Sequence, residues 1–112
     1  MNKIEEFQTK REKGNELIMS EDFLPIKRFF ALDSRAYEEG EIPVKYKEMM
    51  GLVASLVMRC NDCIAYHIIQ CHKSACSKGE INEALNIGLI VGGSIVIPHL
   101  RYAYSLLDEM YN

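Results

Sequence analysis

Hydrophobic positions along this 112-residue chain recur at helical spacing, and no strand-like alternation appears between its turn signals. The pattern predicts an all-α fold. Residues 3–19 read as a polar first helix, with Ile4, Phe7, Leu17 and Ile18 as apolar points and Gly14 as a weak spot. Pro25 suits the first turn of a short helix carrying Phe29, Phe30 and Leu32, because its missing N–H is harmless there. Residues 33–42, with Gly40, read as a polar connection. Pro43 opens the next helix, which runs through Met49, Leu52, Val53, Leu56 and Val57 and stops near Arg59. Asn61 or Asp62 then supplies a short acceptor for the free N–H groups of a new helix. That helix is expected to reach about Ser77, with Gly79 as its C′ stop. Residues 81–92 form another, Gly92-Gly93 marks a break, and a last helix covers 94–111 with Pro98 inside or kinking its first turn.

Two stretches, Met49 to Met58 and Leu89 to Ile97, are apolar nearly all round. A helix without a polar face must be covered on every side. A 12.8 kDa chain has much surface for its volume. The expectation is therefore a compact helical domain that completes its core across subunits, as a homo-oligomer.

Composition adds limits. With 48% hydrophobic and 26% charged residues, the chain reads as one globular domain, residues 1–112. A net charge of −3 gives no reason to expect nucleic acid or an anionic membrane surface as partner. The charged start, Met1 to Glu6, predicts no secretory leader. The longest uncharged run, Ala84 to Leu100, is shorter than the roughly 20 residues that span a bilayer. The expected setting is the cytoplasm, where thiols stay reduced and a Cys-x-x-Cys more often means metal or redox chemistry than a structural bridge.

That motif is present as Cys60-Asn61-Asp62-Cys63, followed by His67, with Glu48 twelve residues before the first cysteine. Positions 60, 63 and 67 fall on one helical face, so His67 lies one turn beyond Cys63. A helix N-terminus and a neighbouring imidazole both favour the thiolate, and such surroundings lower a thiol pKa from about 8.5 to about 3.5–7.5. Twelve residues do not return to one face of a continuous helix, so Glu48 joins the group only if the chain turns near Cys60. A carboxylate placed there could hold His67 in one tautomer or relay a proton.

Other readings stay open. Cys60, Cys63, His67 and Cys71 are all competent zinc ligands, but on a straight helix residues 60 and 71 stand about 16 Å apart. A zinc ion needs its ligands about 2.0–2.3 Å from one point. Cys71 reads as a packed thiol, His72 and Lys73 as solvated, Cys76 as unassigned and His99 as a hydrogen-bonded core histidine. Tyr66, Tyr102 and Tyr104 could line a cleft. No phosphate loop, dinucleotide fingerprint or acyl-transfer triad is found.

With these residues in view, the chain resembles the carboxymuconolactone decarboxylase and alkyl hydroperoxidase D-like superfamily. Its redox-active members share Glu, eleven residues, Cys-x-x-Cys, three residues and His, met here by Glu48, Cys60, Cys63 and His67. Lys47 to Ala54, Gly92-Gly93-Ser94 and Ile95 to His99 add to the likeness, which spans roughly residues 22–110. The resemblance implies an all-helical trimer or hexamer with its site near a subunit contact. It implies a thiol-dependent peroxidase or disulfide oxidoreductase acting on a hydroperoxide or disulfide, with an external dithiol protein as reductant and no bound cofactor. Cys63 is the implied attacking thiol, Cys60 its resolving partner, and Glu48 with His67 the proton relay. The well-studied hydroperoxidases carry a histidine just before the second cysteine; here Asp62 stands there, and its charge would raise a neighbouring thiol pKa. The rivals are a lactone decarboxylase-type lyase, which does not depend on the cysteine pair, and a non-enzymatic redox-sensing or metal-binding protein.

Overall fold

A computed structural model describes residues 2–111, and every regular element among them is helical. The order is α1 (Lys3–Ser20), α2 (Leu24–Ala36), α3 (Val44–Val57), α4 (Asn61–Lys73), α5 (Lys78–Gly92), a single 3-10 turn (Ser94–Val96) and α6 (Ile97–Tyr111). The all-α expectation holds.

The core lies where α3 packs on α4 and α5, with α6 across α4 and α5. Leu52 and Leu56 of α3, Ile64 and Ile68 of α4, Ile81 and Leu85 of α5, and Leu106 and Leu107 of α6 are fully buried there. Full burial of an aliphatic side chain of this kind is worth about 1.5–3 kcal/mol. On α3, α4 and α5 those residues recur at four-residue spacing, and on α6 Leu106 and Leu107 lie three and four residues after the buried Ala103, the pattern from which the helices were expected.

Helix ends explain where boundaries differ from the sequence reading. At the end of α3, Arg59 takes a left-handed conformation (φ 59°), its N–H donates to Leu56 O at 3.0 Å, and Cys60 N–H donates to Ser55 O at 3.1 Å. This is a Schellman stop without glycine. The same device ends α4: Ala75 has φ 64°, and the N–H groups of Ala75 and Cys76 donate to His72 O and Cys71 O at 3.1 and 3.0 Å. Helix α4 therefore stops at Lys73, short of Ser77. Gly79 is not its stop but lies in the first turn of α5, which begins early because Ser77 and Glu80 form a reciprocal capping box. Helix α2 reaches Ala36, four residues into the expected connection. Gly93, at φ 78°, makes the break after α5.

Helix α1 is tied to the end of α6. The Glu109 carboxylate accepts from the N–H groups of Lys3 and Ile4 at 3.3 and 3.1 Å, while Asn2 caps Glu5. Helix α2 is different. It buries no residue, touches the other elements only slightly, and leaves Phe23, Leu24, Ile26, Phe29 and Leu32 exposed beside it. The Cα radius of gyration, 14.6 Å, exceeds the about 13 Å of a well-packed domain of this length, as a projecting helix requires. Met50, Met58, Ile90, Val91 and Ile95, from the two all-apolar stretches, are exposed as well. No helix among the described residues is long and apolar enough to cross a membrane.

Candidate functional site

The chain does turn at Cys60, and the turn brings Glu48 to His67. Because Cys60 closes the stop of α3 and is also the N-cap of α4, the two helices fold back on each other over three residues. Cys60, not Asn61 or Asp62, is the cap: its sulfur accepts from Cys63 N–H at 3.2 Å. Nineteen residues apart in sequence, Glu48 Oε1 and His67 Nδ1 stand 2.9 Å apart. Both side chains are buried, at 4% and 9% exposure for their residues. A buried carboxylate beside an imidazole accepts the Nδ1 proton, which leaves the Nε2 lone pair free to accept.

What meets Nε2 is the hydroxyl of Tyr37, in a long hydrogen bond of 3.4 Å. Tyr37 follows directly on α2, and its ring is tilted against the imidazole with centroids 5.3 Å apart. Tyr66 packs edge-on to the same imidazole at 5.1 Å, and the Arg11 guanidinium lies 4.4 Å above the Tyr66 ring. Burial pushes both phenols above their ordinary value of 10.0, and the Glu48 carboxylate adds to the push. Gly51 makes room for this arrangement on α3, one turn after Glu48. A Cβ there would stand 2.5 Å from His67 Cε1 and 2.8 Å from both ring nitrogens.

Cys60 and Cys63 are joined as a disulfide, with Cα atoms 5.3 Å apart. Cys63 is exposed and Cys60 half-buried. Cys63, His67, Tyr66, Tyr37 and Asp62 line a cavity of about 510 Å³ whose other wall is α1, through Phe7, Lys10 and Arg11 among others. The four residues singled out in the sequence are thus two contacting pairs at one place: a disulfide at the cavity and a carboxylate–imidazole pair behind it. One expected contact is missing. Neither His67 nitrogen bonds a sulfur in this disulfide form; among the described residues they go to Glu48 and Tyr37.

The remaining candidates lie elsewhere. Cys71 is a fully buried thiol, as expected, and Cys76 is buried beside it. Burial raises both above the ordinary thiol value of 9.0. His72 and Lys73 are exposed. His99 is half-buried and bonded to Asn61 Oδ1 at 2.8 Å, so it is not the core histidine expected of it. Tyr66 reaches the cavity, whereas the Tyr104 hydroxyl donates to Asn82 Oδ1 at 2.7 Å. Among the described residues no cluster of three or more His, Cys, Asp or Glu side chains has metal-site geometry. Tyr37 and the α1 wall were not singled out in the sequence. Tyr37 sits in a polar stretch with no periodic or motif signal to mark it.

Fold and site together define a helical dithiol protein, with a Cys-x-x-Cys disulfide at a helix-walled cavity and a buried Glu–His pair beside it. The chain belongs to the carboxymuconolactone decarboxylase family, whose profile matches residues 26–107. Two crystal structures of a Thermotoga maritima protein superpose on it with TM-scores of 0.92 and 0.90 at 53% identity. They cover 95% of this chain and 93% and 90% of their own. One of them is described as a carboxymuconolactone decarboxylase family protein with a suggested involvement in the antioxidative response. An uncharacterized protein of Cupriavidus necator is 26% identical over 72 residues, 64% of this chain, and the match spans 61% of that protein's length.

Proposed function

We propose that this chain is a thiol-dependent peroxidase of the alkyl hydroperoxidase type, cycling Cys60 and Cys63 between dithiol and disulfide with Glu48 and His67 as its proton relay. The observation that carries the reading is the pairing of a cavity-facing disulfide with a buried carboxylate–imidazole couple. The antioxidative description of the Thermotoga relative supports it.

The cycle balances without a bound cofactor. The Cys63 thiolate attacks one oxygen of a hydroperoxide; an S–O bond forms, the O–O bond breaks, and the leaving alkoxide takes a proton to become an alcohol. Cys63 is then a sulfenic acid. The Cys60 sulfur attacks it, the S–S bond forms, and hydroxide leaves as water. An external dithiol protein returns two electrons and two protons by exchange through a mixed disulfide. The roles follow access and hydrogen bonding. Cys63 is the more exposed residue of the two and lines the cavity. Cys60, which accepts the Cys63 N–H at the start of α4, is the better leaving thiolate when the disulfide is reduced. A reducing cytoplasm suits such a cycle, and a disulfide substrate would enter it at the exchange step.

The working unit in this reading is a homo-oligomer, a trimer or hexamer, because α2 and the exposed apolar residues of α5 need cover that one chain does not provide. A monomeric mass in light scattering at micromolar concentration would contradict it.

The direct test counts thiols. Reduced protein should lose two thiols per chain on addition of one equivalent of tert-butyl hydroperoxide, and neither Cys60→Ser nor Cys63→Ser should form the intrachain bond. A lyase of the same family predicts instead that Cys63→Ser keeps full activity on a lactone carboxylate. Failure of the native protein to lose thiols would refute the peroxidase reading.

A further inference from the structure

We propose that Tyr37 is a third member of the proton path, bridging His67 to the Cys63 thiol through its hydroxyl. The inference rests on Cys63 being the reactive thiol. Helix spacing alone would let His67 reach the Cys63 sulfur directly, yet the Nε2 that would do so faces Tyr37 instead. Glu48 holds the Nδ1 proton, so Nε2 is the acceptor and Tyr37 O–H the donor. Tyr37 lines the same cavity as Cys63. A phenol is both donor and acceptor. Its oxygen can take the proton leaving the Cys63 sulfur while its own proton passes to Nε2. The products are a thiolate, an unchanged phenol and an imidazolium paired with Glu48; nothing is oxidised or reduced. The hydroxyl then donates to the thiolate and stabilises it. At 3.4 Å the bond is long, as hydrogen bonds of a resting site often are.

Helix α1 contributes Lys10 and Arg11 to the cavity wall, α2 contributes Asp33, and α4 contributes Asp62 with the neutral Tyr66. The two cations and two rim carboxylates balance, so the Glu48–His67–Tyr37 chain remains the ordered route for a proton. Tyr37 follows directly on α2, the helix that scarcely packs on the rest of the chain.

The test reads the pH midpoint of Cys63 alkylation by iodoacetamide in the reduced full-length chain, with peptide mapping to assign the modified sulfur. It compares wild type, Tyr37→Phe, His67→Ala and the double variant. Tyr37→Phe should raise the midpoint by about one pH unit, toward that of an unassisted thiol. His67→Ala should raise it at least as far, and the double variant should match His67→Ala, since both residues serve one path. Should His67→Ala lose its cooperative thermal melt, His67→Gln takes its place in the cycle. An unchanged midpoint in Tyr37→Phe, or shifts of the two single variants that add, would overturn the proposal. Alkylation needs no peroxide, so this outcome is separate from whether the protein consumes hydroperoxide.

Discussion

The imidazole of His67 occupies the space that a side chain on Gly51 would need. A Cβ at that position would approach Cε1 to 2.5 Å, closer than any real contact, while Glu48, one turn earlier on the same helix, bonds Nδ1 at 2.9 Å. Helix α3 therefore supplies both the carboxylate and the gap into which the ring fits. Two opposing effects follow for Gly51→Ala. Alanine in a helix interior gains up to about 1 kcal/mol over glycine. Overpacking a filled site costs about 1–3 kcal/mol. The clash is with a ring held on both sides, so the cost wins. Urea unfolding should show a net loss of about 1 kcal/mol, and the His67 imidazole resonances should move. A more stable variant with unshifted His67 resonances would show that the ring yields freely.

Ala75 holds a left-handed conformation at the end of α4, at φ 64°, and is exposed. A non-glycine residue there costs about 1–2 kcal/mol, of which glycine's greater freedom in the unfolded chain takes back a part. Ala75→Gly is expected to stabilise the protein by about 1 kcal/mol. The urea midpoint should rise with its slope unchanged.

Asp62 stands at the start of α4, beside Cys63 on the cavity wall. Removing its charge pulls two ways. The Cys63 thiolate loses a repulsion of about 0.5–1 kcal/mol, so alkylation of Cys63 in Asp62→Asn should quicken two- to fivefold at pH 7. The first turn of α4 loses a favourable charge, so the melting temperature should fall slightly. Slower alkylation would mean that Asp62 assists the thiol.

Cys71 and Cys76 are held neutral by burial, with pKa values above the ordinary 9.0. The sign follows from linkage. The native state keeps these protons at a pH where the unfolded chain has released them, so this stability is fully present below pH 9 and is lost as pH rises through the native values. Reduced native protein treated with iodoacetamide at pH 8 should therefore gain two groups, on Cys60 and Cys63, and four in urea. Four groups on the native chain would show that the inner pair is accessible.

How much of this was legible in the sequence depends on which residues carry the signal. The helices were, because Leu52, Leu56, Ile64, Ile68, Ile81 and Leu85 mark their buried faces by spacing alone. The four candidate residues were singled out by spacing and family likeness, and the structure brings them together as two contacting pairs. The helix ends were read less well. Arg59 and Ala75 adopt the conformation that glycine usually marks, so composition misplaced the end of α4, and the Ser77–Glu80 box was passed over in favour of Gly79. Tyr37 was invisible because its partner lies 30 residues away, and one tyrosine in a polar stretch has no pattern. His99 was misjudged because its apolar neighbours in sequence are not its neighbours in space; its bond is to Asn61.

The central claim is catalytic use of the Cys60–Cys63 pair, and turnover tests it most directly. With excess dithiothreitol and tert-butyl hydroperoxide, the native chain should reduce many equivalents of peroxide above the dithiol background. Cys63→Ser should fall to that background, and Glu48→Gln or His67→Ala should lose about a hundredfold, the low end of what a positioned proton relay contributes. Peroxide loss no faster than dithiothreitol alone, or undiminished loss in Cys63→Ser, would contradict the account.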